Sequence, residues 1–136
     1  MCEKKVYTID GSNFETLEGF YDEVSNVLIP NVSWGRNLGA FNDILRGGFG
    51  TPDEGFVFRW RNADLSRNHL GYPETVRQLE KRIKNCHPSN INRIQLELTS
   101  ARKNEGNTVF DWLVAILEDH GPNGQEAEDR IALVFD

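Results

Sequence analysis

Cysteine is almost missing from this chain: Cys2 and Cys86 are the only two among 136 residues, and one stands beside the first residue. Two such thiols form no disulfide framework, which points to reduced cysteines and a cytoplasmic protein. Histidine is scarce as well, at His69, His87 and His120, and none has the i+4 histidine or nearby cysteine cluster that a zinc site uses. No metal and no cofactor are expected. Long apolar runs are also lacking. No segment approaches the ~20 residues of a membrane-spanning helix, and the opening "MCEKKVYTID" has no apolar stretch behind its lysines, so neither a membrane nor a leader is expected. Basic residues are outnumbered, 15 against 21 acidic ones, for a net charge of -6. That balance disfavours attraction to nucleic-acid backbones and favours a basic partner.

The charge is unevenly spread. Residues 1–60 carry nine acids and five bases, 61–108 five and nine, and 109–136 seven and one. The length fits one domain, 1–136, large enough to bury its own core.

Strand and helix signals alternate. "KKVYTIDG" combines β formers with the turn pair Asp10-Gly11 and predicts a first strand. A capping-box pattern at Ser12 and Glu15 then predicts a helix over 13–28, with Leu17, Tyr21, Val24 and Leu28 on one face and Pro30 behind it. In "SWGRNLGAFNDILRGG", residues 33–48, Asn37 suits an N-cap, Leu38, Phe41 and Leu45 face inward, and Gly39, Asn42, Asp43 and Arg46 take the outward arc. Gly47-Gly48 supply a stop.

"GFVFRW" predicts a central strand. "YPETVRQLEKRIKNC" opens with a helix-starting proline and lines up Val76, Leu79, Ile83 and Cys86, with Arg77, Lys81 and Lys84 on another face. "NRIQLEL" alternates apolar and polar residues and predicts a strand with one wet face. "TVFDWLVAILEDHG", with Thr108 and Asp111 placed as a capping box, is the strongest helix signal, and "RIALVFD" predicts a last strand. The class is α/β: a small, mainly parallel sheet of three to four strands packed with helices.

Chemical motifs are few. "GGFG" and "GPNG" carry neither a P-loop lysine nor a dinucleotide fingerprint. Cys86 beside His87 suggests a nucleophile and base, but sequence neighbours seldom point at one another on a helix. Glu118, Asp119, Glu126, Glu128 and Asp129 crowd the carboxyl end as a solvated face does. Glu118 and Asp119 in a last helical turn oppose the helix dipole, a hint that negative charge there serves something outside the helix. Trp60 and Trp112 read as core, whereas Trp34, in a turn, fits either a core edge or an interface anchor.

In order and spacing, "IDG", "FETLEGFYDEVSNVL", "WGRNLGAFNDIL", "FVFRW" and the closing helix, glycine and strand resemble the barstar-like family, intracellular inhibitors of secreted bacterial ribonucleases. The resemblance covers about residues 5–67 and 109–136, with Gly35, Asn37, Leu38 and Asp43 at matching positions. It implies a protein with no catalytic activity whose second helix and preceding loop plug the basic cleft of a nuclease toxin. Asp43 matches the central acid of that plug, Trp34, Asn37, Gly39, Asn42 and Phe49 surround it, and Glu118 offers a second charge. Gly39 stands where the family has another acid, Asn42 where it has an aromatic, Ser33 where the loop begins with an aromatic, and Ile116 where the last helix bears an acid. The segment at about 68–108 is an insertion relative to small family members. The expected partner is a basic ribonuclease, bound by a monomer; the alternatives are a non-inhibitory regulatory member of the fold, a nucleic-acid module using the basic insertion, and a hydrolase using His87, His120 and the terminal acids.

Overall fold

A computed structural model describes residues 5–47, 51, 55–121, 124 and 131–136. Three parallel strands, β1 (Val6–Asp10), β2 (Val57–Arg61) and β3 (Ala132–Phe135), lie in that order with β2 central, Val6 beside Val57 and Val57 beside Ala132. Between them run α1 (Leu17–Val27), α2 (Leu38–Leu45), α3 (Ala63–His69), α4 (Tyr72–Asn85), α5 (Ile91–Arg102) and α6 (Val109–Asp119). Parallel neighbours require long crossovers, and helices supply them.

The main core lies where α1, α2 and α6 meet the sheet. Ile9, Phe20, Phe41, Phe58, Trp60 and Leu113 are fully buried there. Phe41 of α2 meets Phe20 of α1 at 5.2 Å and Phe58 of β2 at 6.3 Å between ring centroids. The indole N–H of Trp60 donates to the Ser66 hydroxyl at 2.9 Å, so this buried donor is satisfied. Gly11 is fixed by space: a Cβ there would lie 2.4 Å from the Asn62 carbonyl oxygen and the Ser66 hydroxyl oxygen. Gly11→Ala should therefore lower thermal stability even though the turn preceding it is retained, and a melting curve checks this.

Several elements differ from the expectations. "NRIQLEL" lies in helix α5, not in a strand, so among the described residues the sheet has three strands. Its buried residues Ile94, Leu98 and Ala101 fall at i, i+4 and i+7 against Leu79 of α4, while Leu96, required on the apolar side by alternation, is 72% exposed. Helical spacing and strand alternation share Ile94 and Leu98, and packing against α4 selects the helix. The first helix starts later than expected. Gly11–Asn13 form a 3-10 turn, and Thr16, not Ser12, caps α1 by accepting from the Gly19 N–H at 3.1 Å. Ser12 instead donates to Asp10. His69 ends α3.

Two residues of the basic face of α4, Arg77 and Lys81, reach α1. Arg77 pairs with Glu18 and Glu74, Lys81 with Glu18 at 3.1 Å, and Gln78 donates to Glu18 at 2.6 Å and to Glu74 at 3.0 Å. Glu74 also accepts the Leu17 N–H at 2.8 Å, closing the start of α1. Burial works against ionised Glu18, but the bonds from Arg77, Gln78 and Lys81 outweigh it and lower its pKa to about 2. Glu74 is lowered in the same way, burial opposing and Arg77, the Leu17 N–H and Gln78 prevailing. Because both folded values lie below the unfolded ones, this contribution is complete above the ordinary carboxylate range and is lost as pH falls through it toward about 2. Urea midpoints should fall between pH 5 and pH 3, both rough bounds of that window, and fall less steeply in Glu18→Gln.

Candidate partner-binding surface

Helix α2 has only eight residues, too few to persist alone, and it is held at every side. At its start the Asn37 side chain accepts from the Ala40 N–H at 2.8 Å, the predicted cap. At its end Gly47 takes the left-handed conformation with φ 95°, and the Thr51 hydroxyl donates to the Ile44 carbonyl at 2.8 Å. Phe41, Ile44 and Leu45 are buried, and Leu38 is partly so.

The preceding loop is pinned to α1. The Trp34 indole N–H donates to Ser25 at 2.6 Å, its ring stands edge-on to Tyr21 at 5.5 Å, and Arg36 pairs with Asp22. Arg36 is left-handed, φ 52°, a conformation costing an ordinary residue about 1 to 2 kcal/mol. The contacts of Trp34, the Arg36 pair and the Asn37 cap hold it there. Burial pushes the Tyr21 hydroxyl up to about 12, against the opposing charge of Arg82.

Asp43 is exposed on this fixed helix and accepts from Arg46 at 2.9 Å, one turn on. Exposed pairs of this kind contribute roughly 0 to 1 kcal/mol. Gly39 is exposed, and an added Cβ would meet only the Asn37 side-chain oxygen, at an ordinary 3.4 Å. Asn42 is not on the outward arc. It is half-buried, and its carbonyl oxygen lies 2.6 Å from Nε2 of His120, at the end of α6. Turning inward satisfies a polar pair that Phe41 and Leu45 could not. Glu118 and Asp119, exposed in the last turn of α6, line a cleft with Ile131, Leu133 and Phe135 on the β3 side. Phe49 lies outside the described residues, as do Cys2, Glu126, Glu128 and Asp129.

A family model for Barstar (barnase inhibitor) matches residues 4–88, more than half of the sequence. The chain belongs to the barstar family. The matched part holds β1, α1, the pinned loop, α2, β2, α3 and α4, so the barstar frame includes the surface bearing Asp43. Family members are inhibitors, not enzymes, and bind a ribonuclease. A comparison with curated proteins finds no match.

Other sequence candidates are not brought together as an active site. His87 Nδ1 lies 2.8 Å from the Ser89 hydroxyl and accepts the Ser89 N–H, which makes it the cap of the turn between α4 and α5. Cys86 directs its thiol to the Ile83 carbonyl. His120 lies against α2 instead. Among the described residues, no group of three or more His, Cys, Asp or Glu could hold a metal ion, and no helix is long and apolar enough to cross a membrane.

Sequence reasoning missed Glu74 and placed His120 with the hydrolase alternative, not against α2. Both are polar residues whose partners lie far along the chain, at Leu17 and Asn42 respectively. No local pattern marks them.

Proposed function

We propose that this barstar-family protein inhibits a bacterial ribonuclease or related nuclease toxin by docking α2 and its preceding loop in the enzyme's basic cleft. The observation that carries this is the exposed carboxylate of Asp43 on a two-turn helix whose start, end and flank are all tied to the fold. A carboxylate held this way accepts charge-assisted bonds from arginine, lysine or histidine with little ordering cost. Asn37 and Gly39 border it, Trp34 supports the loop from α1, and Glu118 adds charge from α6. The protein acts as a cytoplasmic monomer before binding. Of the 68–108 segment, α4 falls within the residues matched by the barstar model and α5 lies beyond them. Two cations of that segment, Arg77 and Lys81, are paired with Glu18 and Glu74, which reduces the charge available to the nucleic-acid alternative.

Two experiments bear on this. Purified protein should retain a basic nuclease from the source cell, identified by mass spectrometry, while Asp43→Arg should not; retention by both would remove α2 from the contact. Gly39→Asp should fold normally and gain about 0.5 to 1 kcal/mol in urea unfolding, because a glycine leaves the first turn and an acid enters it. Against a nuclease with a broad basic cleft, the second acid should also strengthen inhibition.

A further inference from the structure

His120 is fully buried at the end of α6. A leucine there would avoid the cost of burying an imidazole, which must be hydrogen-bonded to be tolerated. Its Nε2 meets the Asn42 carbonyl oxygen at 2.6 Å. A carbonyl oxygen only accepts, so Nε2 carries a hydrogen and donates to α2.

The backbone makes His120 a fixed point: its carbonyl accepts the Ile131 N–H at 2.9 Å and its N–H donates to Leu117 at 3.2 Å, joining the end of α6 to the approach to β3. Helix α2 has the opposite character. Its two turns include Gly39, and its inner side is held by Phe41, Ile44 and Leu45. Apolar packing is non-directional and tolerates small rotations of a short helix about its axis. A short, directional bond to Asn42 removes that freedom, and Asn42 is the residue immediately before Asp43.

We propose that His120 is a positioning residue for the docking helix: through Asn42 it sets the rotation of α2, and with it the direction of the Asp43 carboxylate. The functional part rests on α2 being the docking element, whereas the clamp itself is measurable in the free protein.

Amide hydrogen exchange followed by NMR should compare wild type, Asn42→Ala, His120→Ala and His120→Gln. In both alanine variants the amides of residues 41–46 should exchange about tenfold faster relative to those of β2. Gln at 120 presents an amide N–H near the site of the ring Nε2–H and should restore protection to within about threefold. Where His120→Ala fails to fold, Asn42→Ala, a half-buried change with good helix propensity, carries the test. Exchange in α2 that merely follows β2, or a His120→Gln no better than His120→Ala, overturns the clamp. With a cognate nuclease in hand, His120→Ala should lose about tenfold in affinity and His120→Gln should regain it. If exchange behaves as expected but Asp43→Ala binds the nuclease normally, the docking role of α2 falls and the clamp stands.

Discussion

Asp43→Ala is expected to weaken the complex with the cognate nuclease by about thirtyfold or more, roughly 2 kcal/mol. That size is carried over from measured hot spots, a set that includes a barstar complex with its ribonuclease, and is not calculated from this geometry. The geometry gives the direction. Asp43 is on a helix that needs no rearrangement to present it, so its removal forfeits bonds without recovering ordering entropy. The enzyme's buried cations are then left unpaired, and this makes the loss larger than that of an exposed pair. Asp43→Asn keeps the shape and should lose nearly as much, because the charge is what the basic cleft recognises. The free protein should hardly change in stability, since only the surface pair with Arg46 is lost. Isothermal titration and urea unfolding on the same three proteins separate these effects, and an unchanged affinity removes Asp43 from the interface.

Glu74→Leu is expected to cost about 2 to 3 kcal/mol of folding stability, read from urea unfolding. Glu74 is only 6% exposed, and its carboxylate accepts from the Leu17 N–H, Gln78 and Arg77. Leucine fills the volume but satisfies none of these donors, so the first turn of α1 loses its long-range cap and Arg77 keeps Glu18 alone. Glu74→Gln retains an acceptor for Leu17 and should cost about 1 kcal/mol. The loss from Glu74→Leu should shrink as pH falls through the carboxylate range, because the wild-type contribution disappears there. A loss that stays constant from pH 7 to pH 3, both nominal ends of that range, would mean that packing, not charge, decides the effect.

Helix α2 was well marked in the sequence. Asn37 as cap, Gly47 as stop and the inward Phe41 and Leu45 are local features within one or two turns, and short-range sterics and hydrogen bonding enforce them. The failure at "NRIQLEL" has a definite cause. Over seven residues, Ile94 and Leu98 satisfy both periods, and the test residue Leu96 is apolar although it faces solvent. Asn42 was misplaced for a different reason: its polarity suggests solvent, and only its spatial neighbour turns it inward.

The sequence by itself determined the alternation of strands and helices, the parallel sheet with β2 in the middle, the barstar resemblance and the candidate acid Asp43. These follow from periodicity, caps and turns, interactions that span a few residues. Tertiary structure alone decided that α5 is a helix, that Arg77 and Lys81 of α4 pair with Glu18 and Glu74, and that His120 meets Asn42. Each depends on residues separated by tens of positions in the chain, and the burial and hydrogen bonding that select them exist only once the layers have packed.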